Sequence, residues 1–357
     1  MANKRFYLFP LTLLYGLTVR IKNFAYSIHL FRETTFSNVA VIGIGNLSTG
    51  GTGKSPMVEY IVNNYSHRYK IAILSRGYGR KTKGYRVCKP TDTYQEIGDE
   101  PLQFVSKFNN VVVAVSENRR DGINKIMKEF PNIQMIILDD SFQHRRVKPH
   151  LNILLTNYYD LYYKDFLLPT GNLREHISNA KRANIIIVSK CDKILSPIIE
   201  RQVKEELNPK PTQTLLFSSV SFCGIQPVPY SKAELSPISI SDEKHYKAIC
   251  FAGIAHNYLF VNKARSLFSE IEFIEFKDHH EYSPNDLKKI KEIYDNHYSS
   301  KKIILTTEKD MRRMQTPELI PILKDMVIYY IPIETIFCNE GATVFNKEIE
   351  KLMSKST

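Results

Sequence analysis

The segment NVAVIGIGNLSTGGTGKSP, residues 38–56, decides the fold. Val39, Val41 and Ile42 lie in a β-branched run that predicts a buried parallel strand. Gly50, Gly51 and Gly53 then allow a tight backbone path with N–H groups turned inward. After Lys54 and Ser55, the apolar residues Met57, Val58, Ile61 and Val62 recur at helical spacing. Pro56 suits a first helical turn, where its missing N–H costs nothing. Strand, glycine loop and helix N-terminus together make an anion cradle. Ser48, Thr49, Gly50, Gly51, Thr52, Gly53, Lys54 and Ser55 are expected to wrap phosphate, with Lys54 on the outer phosphates and the Ser55 hydroxyl on Mg²⁺. The pattern G-x-x-x-x-G-K-[ST] is broken at its first glycine, which is Ser48 here. The alternative is an ordinary glycine-rich strand–helix turn. The motif predicts nucleotide binding and leaves the reaction open.

The chain of 357 residues has length for about two domains with real cores. Apolar content of 43% and charged content of 24% are those of a globular protein. The net charge of +12 and pI near 9.2 suit nucleic acid, an anionic membrane or phosphorylated small molecules. Cys88, Cys191, Cys223, Cys250 and Cys338 are dispersed, with no C-x-x-C pair. This argues for a reducing compartment and against a disulfide or zinc framework.

The apolar stretch FYLFPLTLLYGLTV, residues 6–19, is short for a bilayer span of ~20 residues. No small-residue cleavage site follows it, which argues against a signal peptide. Leu14, Leu17, Ile21, Phe24, Ile28 and Phe31 recur at steps of three and four, with Arg20, Lys22, His29 and Arg32 interleaved. The pattern fits a basic amphipathic helix on a membrane surface, or a helix packing that stripe on the protein's own core.

Downstream, IAILS (71–75), VVVAV (111–115), MIILD (135–139), NILLT (152–156) and NIIIVS (184–189) alternate with helical stretches. Such alternation predicts a parallel sheet covered on both faces, with functional groups at the carboxyl ends of its strands. TLLFSSVSF (214–222) leads into a Pro- and Ser-rich stretch, 224–244, read as a domain connection. A second α/β set follows, with KAICFAGI, IEFIEF, KIILTT and VIYYIPI.

Several side chains are candidates for chemistry. Asp139 and Asp140 end a strand, where an acid commonly partners a P-loop by holding Mg²⁺; a turn or helix cap is the alternative. Asp99, in EIGDEPLQF, sits in a predicted loop and can accept a proton from an attacking hydroxyl; a solvated turn is the alternative. FKDHHEY supplies Asp278, His279 and His280; adjacent residues on a strand face opposite sides, so at most one His is expected to serve a site. Arg76 and Arg80 in LSRGYGR, and Arg174 in LPTGNLRE, are candidate phosphate clamps. TTEKD, residues 306–310, also follows a strand. SKCD places Lys190 and Asp192 as in the guanine-reading N-K-x-D element, with Ser189 in the Asn place. The D-x-x-G expected of a switch GTPase is absent.

Taken in order, VIGIGNLSTGGTGKSP, LSRGYGR, GDEPLQF, LDDSFQHRRV, LLPTGNLRE, FAGIAHNYLF, FKDHHEY and TTEKD resemble the series found in tetraacyldisaccharide 4'-kinases, the lipid A kinases of Gram-negative bacteria. The resemblance covers most of the chain and weakens after about residue 335. It implies an α/β fold: a P-loop NTPase-like parallel-sheet domain plus a second, smaller α/β domain, joined by linker strands near 215–222 and 328–336. It implies residues 1–35 as a membrane-associated amphipathic helix, 36–222 as the P-loop kinase domain and 223–357 as the second domain with linker strands and tail.

The implied reaction moves the γ-phosphate of ATP, with Mg²⁺, to the 4'-hydroxyl of a tetraacyldisaccharide 1-phosphate. The product is lipid IVA, made at the cytoplasmic face of the inner membrane by a peripheral or monotopic enzyme. Lys54 and Ser55 match the family's phosphate-loop residues, and Asp139 and Asp140 its acidic metal pair. Asp99 matches its catalytic base and His279 the partner of that base. Arg76, Gln143 and Arg174 are expected to contact substrate. Ser141 stands where the family often has Gly, which bears on the placement of Gln143. A GTPase switch or metallochaperone is the alternative function. No basic patch with interleaved aromatics points to nucleic acid.

Overall fold

The computed structural model describes residues 5–235, 244–255 and 257–356. Among these, the strands in chain order are β1 (Ala40–Asn46), β2 (Ile71–Ser75), β3 (Arg86–Val87), β4 (Val112–Val115), β5 (Met135–Leu138), β6 (Leu151–Asn157) and β7 (Ile185–Cys191). They continue with β8 (Thr214–Phe222), β9 (Gln226–Pro227), β10 (Lys247–Ala252), β11 (Glu270–Glu275), β12 (Lys302–Thr307), β13 (Ile328–Ile331) and β14 (Ile333–Phe337). The chain divides into two compact units. One is 1–90, 104–220 and 335–357; the other is 91–103 and 221–334.

The larger unit is built on a nine-stranded sheet of order β14-β8-β7-β6-β1-β5-β2-β4-β3. Strand β1 pairs parallel with both β5 and β6, and every residue of it is buried. A parallel strand needs crossovers that cover both faces, so a continuous apolar run is what such a strand requires. On one face Val39, Val41, Ala72, Leu74, Ile136 and Leu138 pack with Ile123 and Ile126 of the helix Arg119–Glu129.

Two glycines of β1 have a specific task. A Cβ on Gly45 would lie 2.6 Å from the Phe142 Cβ and 2.7 Å from its backbone N; one on Gly43 would lie 2.9 Å from the Ser141 hydroxyl oxygen. The turn after β5 is thereby laid directly against β1. Ser141 is tied to it there: its N–H donates to the Ile44 carbonyl at 3.0 Å.

The smaller unit has a five-stranded sheet of order β11-β10-β12-β13-β9, parallel except for β13–β9. Alternation along its strands feeds two cores. Ile249, Phe251 and Ile304 enter one, and Ala248, Cys250, Ile303 and Leu305 the other.

Several expectations change. The last helix, Gly341–Ser356, belongs to the larger unit, because Phe345, Ile349 and Met353 are buried there and Phe345 meets Tyr60 at 5.7 Å. The segment 91–103, expected in the P-loop domain, belongs to the smaller unit, tied by Glu100 to Lys309 at 3.4 Å. Of the linker strand expected near 328–336, residues 328–331 are the core strand β13, and β14 is the strand beside β8. The stretch 224–244 is not a bare connection: Gln226–Pro227 pairs with β13, while 236–243 lie outside the described residues.

The N-terminal helix Phe9–Ser27 belongs to the larger unit and packs there inside out. Its buried residues include Thr12 and Asn23, with Thr12 bonded to Thr170 at 2.7 Å and the Tyr15 hydroxyl donating to the Arg174 carbonyl at 2.8 Å. Leu14, Leu17, Ile21, Phe24, Ile28 and Phe31 are all exposed, so the apolar stripe is not packed on the core. No helix of the described residues is long and apolar enough to cross a membrane.

Candidate functional site

In the larger unit, β1 ends at Asn46 and the helix Lys54–Tyr65 begins eight residues later, so the expected loop forms between them. Gly50 and Gly53 adopt φ of 102° and 83°, a region closed to most side chains. Asn46 Nδ2 donates to Thr52 Oγ1 at 2.9 Å, and the Ser189 hydroxyl donates to the Thr52 carbonyl at 2.8 Å. These two bonds brace the loop from below. The Thr49 N–H is committed to the Asn172 carbonyl, and Ser48 is buried in a bridge with Leu173. The donors that open the cradle are therefore later than Ser48 and Thr49. The backbone N–H groups of Gly53, Lys54 and Ser55 belong to the first-turn set that a helix directs outward at its N-terminus.

Lys54 Nζ lies 3.5 Å from Asp140 Oδ1. Arg174 meets the same carboxylate with both terminal nitrogens at 2.9 Å and also reaches the Asn46 side chain. Burial pushes the Asp140 carboxyl up, but Lys54 and Arg174 more than offset it and hold the group well below the ordinary range. Asp139 is fully buried, accepts from the Ser75 hydroxyl at 3.0 Å, and its carbonyl accepts from Arg119. Gln143 Nε2 donates to the Asn46 carbonyl at 2.8 Å, so the turn carrying Ser141 keeps it against β1. Arg76 is exposed at the end of β2. Arg80 is committed to Glu117 and Gly84. Asp192 of SKCD accepts from the Tyr159 hydroxyl at 2.9 Å.

In the smaller unit, Asp99 is the first residue of the helix Asp99–Lys107, after Gly98 at φ 93°, and not a loop residue as expected. His279 lies on a turn at φ 58°, so the two histidines separate by turn geometry and not by strand alternation. His279 Nδ1 is 3.2 Å from Asp99 Oδ2, whereas His280 meets Asp286, a helix-capping residue, at 3.1 Å. Burial raises the Asp99 carboxyl; His279 and Arg313 outweigh it and bring it to about 2.

Three residues escaped the sequence reading. Arg119 is 2% exposed and underpins Asp139. Asn46 ends β1 and braces the loop through Thr52. Arg313, also 2% exposed, contacts both Asp99 and His279. The only trace of it in the sequence is its place one helical turn after Asp310 in TTEKDMRR.

Ser55, at the start of the loop's helix, and Asp139 and Asp140, at the end of β5, are hard oxygen donors. Among the described residues no group of three His, Cys, Asp or Glu side chains is placed to hold a metal ion. Two carboxylates and a hydroxyl match Mg²⁺, which keeps several waters and takes phosphate oxygens.

A phosphate loop after the central strand of a mostly parallel sheet, its lysine facing a strand-end aspartate, marks a P-loop nucleotide-binding fold. The model of the family described as tetraacyldisaccharide-1-P 4'-kinase matches residues 4–354. This chain belongs to that family and is a kinase. A tetraacyldisaccharide 4'-kinase of Flavobacterium psychrophilum is 38% identical over 358 residues, spanning 98% of this chain and 97% of that protein. One of Bacteroides thetaiotaomicron is also 38% identical, spanning 98% and 94%. The solved structure of LpxK from Aquifex aeolicus, an "apo" form in complex with ATP, matches with a TM-score of 0.72 at 27% identity, covering 99% of each chain.

Proposed function

We propose that this kinase transfers the γ-phosphate of ATP to the 4'-hydroxyl of a tetraacyldisaccharide 1-phosphate, forming lipid IVA in lipid A biosynthesis. The observation that carries the reading is the pairing of Lys54 with Asp140 at 3.5 Å beside a braced phosphate loop, in a chain that belongs to this family. Backbone N–H groups of the loop and Lys54 hold the β- and γ-phosphates. Ser55, Asp139 and Asp140 would hold Mg²⁺, which supplies charge neutralisation on the phosphate oxygens. Arg174, Arg76 and Gln143 orient the substrates. Asp99, supported by His279, takes the hydroxyl proton. That oxygen then bonds to the γ-phosphorus, and the bond to the β-phosphate oxygen breaks to release ADP. Positioning and electrostatics supply most of the rate.

The exposed apolar stripe Leu14–Phe31 supports a peripheral or monotopic placement on a membrane, and we assign it to the cytoplasmic face of the inner membrane. A GTPase switch or metallochaperone is not favoured, since the family is one of kinases. The test is nucleotide choice with a defined product. ATP, and not GTP, should add a single phosphate at the 4' position, read by mass and phosphorus NMR. GTP hydrolysis without lipid phosphorylation would overturn the reading.

A further inference from the structure

Arg313 makes a set of contacts that the proposed reaction does not yet use. Its Nε and Nη2 both point at one oxygen of Asp99, Oδ2, at 2.9 and 2.8 Å. His279 Nδ1 reaches the same oxygen at 3.2 Å. Among the described residues, none of these donors uses Oδ1. The guanidinium is itself fixed from behind: Nη1 donates to the Gly253 carbonyl at 2.7 Å and to Asp310 Oδ1 at 3.1 Å. Asp310 is fully buried, and its Oδ2 accepts from Thr307 Oγ1 at 2.7 Å and from the Gly253 N–H at 3.1 Å. One buried guanidinium thus joins two carboxylates, Asp310 as anchor and Asp99 as the group held.

We propose that Arg313 is the positioning residue of the reaction: it locks the rotamer of Asp99 through Oδ2 and so leaves Oδ1 as the oxygen that takes the hydroxyl proton. A planar fork fixes direction as well as charge, which a point cation does not. Arg313 Nη2 also lies 3.2 Å from His279 Nδ1. Nδ1 donates to Asp99 when it carries hydrogen and accepts from Arg313 when it does not, so Asp99 and Arg313 between them give each His279 tautomer a partner. Because Asp310 holds Arg313 and Gly253 holds both, the alignment of Asp99 is set by the sheet of the smaller unit and not by its own short helix turn. The inference rests on Asp99 being the proton acceptor.

The test compares Arg313→Met, Arg313→Lys and Asp99→Asn with the wild type, in mixed micelles with ATP, Mg²⁺ and tetraacyldisaccharide 1-phosphate, alongside thermal melts. Arg313→Met should lower kcat by about 10²-fold at unchanged KM for ATP. It should also move the acid limb of the pH profile to higher pH, because a half-buried carboxylate that loses a neighbouring cation holds its proton more tightly. Arg313→Lys should restore the limb and only part of kcat. Arg313→Met with wild-type kcat and acid limb overturns the inference. If that variant does not fold, Arg313→Lys decides: unchanged kcat overturns it and lowered kcat with a wild-type limb supports it. Undiminished turnover by Asp99→Asn would instead overturn the assignment of the base.

Discussion

Arg174 lays both terminal guanidinium nitrogens on the carboxylate of Asp140, each at 2.9 Å, while Lys54 approaches Oδ1 of the same group at 3.5 Å. Two cations that suit phosphate are held in place by the acid that suits the metal. A bidentate fork of this kind supplies geometry as well as charge. Arg174→Ala should therefore lower kcat/KM by about 10²-fold, the cost of removing one preorganised donor. Arg174→Lys should recover part of it, since charge returns without the fork. Steady-state kinetics decide; a lysine variant equal to wild type would show that charge alone matters.

Asp99→Ala should retain ATP binding and lose about 10²- to 10⁴-fold in turnover, the usual worth of a general base. The same carboxyl carries a stability signature. Its native value is about 2 against an ordinary 3.8, so its ion pairs stabilise the fold fully above 3.8 and cease to do so as pH falls through about 2. Urea midpoints measured over that acid range should fall less steeply for Asp99→Asn than for the wild type.

Much of this was readable from the residues, for a physical reason. A buried parallel strand must be a continuous apolar run, and Ala40–Ile44, Ile71–Leu74, Met135–Leu138 and Ile185–Val188 declare themselves that way. The loop at 50–55 is equally legible, because only glycine enters its backbone region without strain. Long-range polar contacts carry no such signal. Arg313 meets Asp99 across 214 positions, and neither neighbourhood mentions the other. The N-terminal helix misleads differently. Its apolar period is real, but the side that packs is the polar one, anchored by Thr12 and Tyr15.

Gly45→Ala tests the close approach of the turn after β5. The added methyl meets Phe142 backbone and Cβ atoms, which cannot yield as a flexible side-chain end would. Overpacking of this kind costs about 1–3 kcal/mol. The melting temperature should drop by at least ~2 °C, with a loss of ATP affinity, since Phe142 sits between Asp140 and Gln143. A melt unchanged from wild type would contradict the packing account.

Leu14→Ser and Leu17→Ser test the exposed stripe. Each removes an apolar side chain that gains about 1.5–3 kcal/mol when taken out of water. Co-sedimentation with anionic lipid vesicles should weaken about tenfold or more per substitution, while thermal melts stay at the wild-type value because both side chains are exposed. Equal vesicle binding by wild type and double variant would remove the helix from the membrane contact.

Lipid-dependent phosphoryl transfer is read most directly as ADP release in mixed detergent micelles with Mg²⁺, with and without tetraacyldisaccharide 1-phosphate. ADP release should require the lipid, the lipid should gain one phosphate per ADP, and both should be lost with Lys54→Ala. ADP release that ignores the lipid, with no phosphate gained by it, would mean that the lipid is not the phosphate acceptor.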